Sequence, residues 1–119
     1  MDKTILDVAL PVMGFSTWNQ FGCGINESLI LDQAKAIVDL GLADLGYRSI
    51  NVDDCWQGSY RNETGHLVAD TDRFPHGMDW LSQQVKDMNL SFGIYTCIGE
   101  KTCEGLPGSY GSYEMDAKT

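Results

Sequence analysis

The chain has 119 residues, 43% of them hydrophobic and 21% charged, enough for one small domain with a packed core. Its 17 acidic residues against 8 basic ones leave a net charge of −9. That balance assembles no basic face for phosphate contacts, which speaks against nucleic acid and anionic membrane surfaces as partners. No apolar run reaches the roughly 18 residues of a membrane span.

Near the start, ILDVALPVM is short, carries Asp7 and is broken by Pro11, so it does not read as a signal peptide. VMGFSTW, residues 12–18, reads as a short apolar strand ending in polar groups. After the turn-rich FGCGINES, residues 28–47 have helical spacing, with Ile30, Ala34, Ile37 and Val38 on one face and Gly41 and Gly46 weakening the far end. YRSINVDD is a second strand, rich in residues that pack as a buried parallel strand. The polar segment 57–73 reads as a hairpin-like excursion with a tight turn at Glu63-Thr-Gly65. Pro75 suits the first turn of another helix, striped by Met78, Leu81, Val85 and Met88. LSFGIYT is a third strand, followed by the Gly-rich GEKTCEGLPGSYGS and by EMDAKT, which opens a further helix.

Alternation of strand and helix predicts an α/β fold with parallel strands. Two architectures fit, an open doubly wound sheet or the start of a (β/α)8 barrel, and three strands cannot close a barrel. In both, function gathers at the carboxyl ends of the strands. Those ends carry Trp18 and Asn19, then Asp53-Asp54-Cys55-Trp56, then Tyr95-Thr96-Cys97. Carboxylates accept several hydroxyl hydrogen bonds and an aromatic ring covers the apolar face of a sugar, so this rim suits a neutral, polyhydroxylated ligand.

Plainer readings stand beside that one. An aspartate pair also serves as a helix cap, a solvated loop or a Ca²⁺ or Mg²⁺ site. Trp18 also suits a core, and His66 and His76 read as surface residues without a nearby nucleophile. No nucleotide-binding glycine motif is present, and no cofactor is called for. Cysteines stand at 23, 55, 97 and 103 without a C-x-x-C pair, which argues against zinc and leaves disulfides as the competing use. Asn26, Asn62 and Asn89 head glycosylation sequons, and with oxidised cysteines they point to a secretory compartment.

MGFSTWNQFGC, NVDDCWQ, RNETGHLVADTDRFPHGM, SFGIYTCIGEKTC and PGSYGSYEMDAKT together resemble the N-terminal part of the α-galactosidases of glycoside hydrolase family 27. The resemblance runs from residue 11 to residue 119 and leaves residues 1–10 as an N-terminal extension. It implies the first three βα units of a (β/α)8 barrel, with the rest of the barrel and a C-terminal β-sandwich domain outside this stretch. It implies a retaining hydrolase of terminal α-linked galactose, secreted or in the lysosome or vacuole, whose full-length form is compatible with a homo-oligomer. An α-N-acetylgalactosaminidase remains the alternative within the family. A truncated, non-catalytic sugar- or protein-binding module and a small redox or metal protein are the alternatives outside it.

By the same resemblance, Asp53 and Asp54 match aspartates that hold the 4- and 6-hydroxyls of galactose, and Trp18 and Tyr95 match pocket aromatics. Cys23 and Cys55 match a disulfide pair. Cys103 matches a site-lining cysteine whose partner lies just after the nucleophile, so within this stretch it is expected unpaired, or wrongly paired with Cys97. The nucleophile and acid/base aspartates belong to later strands. Phe15 stands where the family usually has tryptophan, and Cys97 where many members have a small or acidic residue. In such a half-shell Val52 and Ile94 are expected to face the unfilled barrel interior.

Overall fold

The computed structural model describes residues 10–119, so all but Leu10 of the N-terminal extension lies outside the described residues. Three short strands, β1 (Gly14–Ser16), β2 (Ser49–Val52) and β3 (Ser91–Ile94), form one parallel sheet in the order β1-β2-β3. Gly14 pairs with Ser49 and Ser49 with Ser91, so the central strand is also the middle one in sequence. Parallel neighbours need a crossover, and two helices supply it. α2 (Glu27–Asp39) lies between β1 and β2, and α3 (Gly77–Asp87) between β2 and β3; short α1 (Trp18–Phe21) and α4 (Tyr113–Asp116) complete the order.

α2 starts where Asn26 caps it, its Oδ1 accepting the Leu29 N–H at 2.9 Å. It stops at Asp39, earlier than the sequence pattern indicates. Gly41 at φ +76° and Gly46 at φ +102° take the left-handed conformation that ends helices, with a single 3₁₀ turn, Ala43–Leu45, between them. Ile30, Ala34 and Ile37 are buried as the spacing indicates, whereas Val38 is 41% exposed, because the buried stripe is narrower than the sequence reading drew it. On α3, Leu81 and Val85 are buried, with Met78 and Met88 packed at the margins.

Ile50 and Val52 point to the same side of β2, and both are fully buried in one cluster with Ile30, Ala34, Leu81 and Val85. The expectation for Val52 and Ile94 is therefore corrected. Val52 lies under the helices, and its register partner Ile94, 41% exposed, shares that side. The opposite side is polar and small. Ser49 Oγ donates to Asn51 Oδ1 at 3.2 Å, and a Cβ added at Gly93 would sit 2.5 Å from that same oxygen. Helices on one face and small polar groups on the other describe a barrel wall, not a doubly wound sheet.

The excursion after β2 forms as the sequence indicates. Gly58 N–H donates to Val68 O and Asp70 N–H to Trp56 O, both at 2.8 Å, and the turn closes from Gly65 N–H to Asn62 O at 2.9 Å. Among the described residues no helix is long and apolar enough to cross a membrane.

Candidate active site at the strand ends

β2 ends at Val52, and the next two residues carry the carboxylates. Each of their four oxygens accepts a hydrogen bond. Asp53 Oδ1 takes the Asp54 N–H at 2.7 Å, and Asp53 Oδ2 takes the Ser16 hydroxyl at 3.4 Å. Asp54 Oδ1 takes the Cys55 N–H at 3.0 Å, and Asp54 Oδ2 takes the Glu104 N–H at 3.3 Å. Carboxylate oxygens accept two bonds each, so acceptor capacity remains. The two residues differ in access: Asp53 is half-buried and open to a ligand, while Asp54 is 2% exposed beneath the Glu104 loop.

Local backbone geometry creates this pair. Asp53 N–H donates to the fully buried Thr17 Oγ1 at 3.0 Å, tying the ends of β1 and β2. Cys55 then adopts φ +77°, a left-handed conformation that costs a non-glycine residue about 1–3 kcal/mol. A disulfide to Cys23, with the two Cα atoms 5.1 Å apart, and the buried Trp56 hold that turn in place. The disulfide pairing agrees with the expectation from the resemblance. Trp56 is core, not sugar platform, and its indole N–H donates to the Tyr95 carbonyl at 2.7 Å.

Tyr95 extends the β2–β3 pairing, its N–H donating to Val52 O at 2.9 Å. Burial pushes its phenol above the ordinary value, and the nearby Asp54 and Asp53 carboxylates add to the rise. The phenol therefore keeps its proton. Cys103 is exposed and free on the Glu104 loop, next to the residue whose N–H holds Asp54. Cys97 is also free, but its thiol is spoken for, donating to Lys101 O at 3.2 Å. Gly108 must be glycine there, since a Cβ would lie 2.7 Å from that sulfur and 2.2 Å from Gly99 O.

Trp18 is half-buried at the start of α1, directly after Thr17, and its indole makes no hydrogen bond among the described residues. The sequon residues Asn26, Asn62 and Asn89 are all exposed, and all lie away from the carboxylates in the contacts they make. His76 is exposed as the sequence indicates, but it is engaged: its Nδ1 lies 2.6 Å from Glu27 Oε1 and its ring stacks on Trp80 at 4.4 Å. The strand ends thus bring together Asp53, Asp54, Tyr95, Cys103 and the disulfide.

Sequence reasoning missed Ser16 and Thr17, whose signal was two hydroxyl residues at the end of β1. It also missed Arg61 and Asp116, 55 positions apart, which no local pattern joins.

The profile of one family, described as Melibiase_2, Alpha galactosidase A, matches residues 10–119. The chain belongs to this α-galactosidase family. It is 50% identical over 109 residues to a probable α-galactosidase A of Aspergillus clavatus, covering 92% of this chain and 21% of that protein. Its fold superposes on α-galactosidase I from Mortierella vinacea with a TM-score of 0.89 at 45% identity, covering 91% of this chain and 27% of that one. An α-galactosidase from Saccharomyces cerevisiae solved with raffinose gives a TM-score of 0.88 at 46% identity, covering 91% and 24%. The chain therefore spans about a quarter of the length of these relatives, and the three-stranded sheet corresponds to part of their fold.

Proposed function

We propose that residues 11–119 form the N-terminal part of the catalytic barrel of a retaining α-galactosidase and supply part of its galactose subsite. The observation that carries this reading is the Asp53–Asp54 pair, four oxygens each held by one donor with acceptor capacity left, near a Tyr95 phenol that keeps its proton. Such a group recognises adjacent hydroxyls on one edge of a neutral sugar. Asp53 and Asp54 grip the 4- and 6-hydroxyls, Tyr95 and Trp18 line the ring, and Cys103 borders the pocket. Raffinose in the yeast relative supports an oligosaccharide with a terminal α-galactose as the substrate class.

In this reading the two aspartates orient and do not react. Retaining glycosidases use a nucleophile and an acid/base about 5–5.5 Å apart, attacking the anomeric carbon and protonating the leaving oxygen in turn. Those groups come from later strands of the barrel, and the chemistry uses no cofactor. Contacts to hydroxyls remote from the anomeric carbon hold the ring in register with the groups that react. The exposed sequons at Asn26, Asn62 and Asn89 and the disulfide support a glycosylated protein made in the secretory pathway.

The test is the release of nitrophenol from a nitrophenyl α-galactoside. An enzyme in which this chain continues through the whole barrel turns the substrate over, and the 119 residues alone do not. Turnover by the purified 119 residues would overturn the division of labour. A folded, longer enzyme inactive on every α-galactoside would overturn the function.

A further inference from the structure

The loop after β3 doubles back on itself. Ser109 N–H donates to Cys97 O at 2.9 Å, Gly108 N–H to Glu100 O at 2.9 Å and Thr102 N–H to Leu106 O at 2.8 Å. Its tip delivers the Glu104 N–H to Asp54 Oδ2. Its returning limb is held from outside by one cation. Arg61, on the excursion after β2, donates through one guanidinium nitrogen to Gly108 O at 2.7 Å and to Asp116 Oδ2 at 2.7 Å. Its other terminal nitrogen donates to Asp116 Oδ1 at 2.7 Å and to Gly65 O at 2.8 Å. Four bonds from one side chain thus fasten the excursion, the loop and α4 together. The Asp116 side chain is 5% exposed and that of Arg61 21%, so the pair is sheltered from solvent screening.

Resting on the substrate-site reading above, the geometry points to Arg61 as a positioning residue for substrate binding. Fixed by its fork to Asp116, it holds the Gly108 limb, and the zipped loop transmits that constraint to the Glu104 N–H that orients the Asp54 carboxylate. Arg61 itself touches no substrate. A planar fork suits this task better than a point charge, because two parallel bonds set an angle as well as a distance. Thr96 Oγ1 and Ser109 Oγ, 2.7 Å apart, and Tyr113 OH on Ile98 O at 2.6 Å fasten the same loop, but neither bond ties it to the excursion.

The test compares Arg61→Met, Arg61→Lys and Asp116→Asn in the full-length enzyme, each alone and combined with Asp54→Asn. The readouts are KM and kcat on a nitrophenyl α-galactoside, the inhibition constant of free galactose, and the melting temperature. Arg61→Met should raise KM and weaken galactose about tenfold, with kcat within about threefold, the pattern of lost uniform binding. Arg61→Lys should fall between it and wild type. In the Asp54→Asn background Arg61→Met should change KM less than about twofold, because the two residues act in series. If Arg61→Met does not fold, Asp116→Asn, which keeps the shape and half the fork, carries the same comparison. A lower melting temperature with unchanged KM, or full additivity with Asp54→Asn, overturns the proposal and leaves the substrate site standing. An Asp54→Asn enzyme with wild-type KM overturns the substrate site and the proposal together.

Discussion

Trp56 Nε1 donates a 2.7 Å hydrogen bond to the carbonyl oxygen of Tyr95, joining the turn after β2 to the end of β3. The indole is buried. Trp56→Phe removes the donor and leaves a space behind. The lost bond contributes about 1–3 kcal/mol and the cavity adds to it, so the variant should lose roughly 2–4 kcal/mol in denaturant unfolding. An unchanged midpoint would show that the indole does not anchor Tyr95.

The Cys23–Cys55 bridge closes a loop with a sequence separation of 32. In the loop-entropy model that constraint stabilises the native state by roughly 3–4 kcal/mol. Cys23→Ser/Cys55→Ser should lower stability by about that amount, and should also loosen Asp54, whose Oδ1 is held by the Cys55 N–H. Peptide mapping without reductant should recover the 23–55 pair, with Cys97 and Cys103 unlinked to each other. A 97–103 disulfide in that map would contradict the loop described above.

Gln57 is 1% exposed, and among the described residues neither its amide nitrogen nor its amide oxygen has a hydrogen-bond partner. An unpaired buried polar group costs about 1–3 kcal/mol, whereas an apolar group of similar shape carries no such penalty. Gln57→Met should therefore leave stability unchanged or raise it by about 1 kcal/mol. A loss larger than that would mean that the amide is satisfied in solution.

The Arg61 guanidinium, foremost through its hydrogen bonds, holds the Asp116 carboxyl below the usual carboxylate range. A carboxyl depressed in the folded state stabilises the protein above its unfolded value and loses that contribution as pH falls through the folded one. The stability gap between wild type and Asp116→Asn should be constant above about pH 5 and close below pH 3.8, the ordinary value for an aspartate. A gap that closes near neutrality would mean that another group controls it. Arg61 stays protonated throughout this window, since the same pairing raises its own pKa.

Much of this was legible in the sequence because it is local. The βα alternation, the Ile30, Ala34 and Ile37 stripe of α2 and the Gly65 turn all follow from spacing and from backbone preferences of single residues. The aspartate pair was legible for the same reason, lying directly after an apolar strand. What it accepts was not. Ser16 and Glu104 donate to it from 37 and 50 positions away, Thr17 accepts the Asp53 N–H from 36, and only the register of three strands and one doubled-back loop brings them there. Which face of β2 meets the helices is also tertiary. Period-two alternation assigns Ile50 and Val52 to one side but cannot say which side the helices cover, and the helices cover theirs.

The central claim is that Asp53 and Asp54 hold sugar hydroxyls, and a substrate–variant cycle tests it most directly. In the full-length enzyme, kcat/KM is measured for wild type, Asp53→Asn and Asp54→Asn on a nitrophenyl α-galactoside and on its 4-deoxy and 6-deoxy analogues. A charge-assisted hydrogen bond contributes about 1.5–3 kcal/mol, so each variant should lose about 10–150-fold on the parent sugar. If a carboxylate grips a given hydroxyl, the variant should lose little more on the analogue that lacks it. An equal loss on all three sugars, or wild-type kinetics in both variants, would contradict the account.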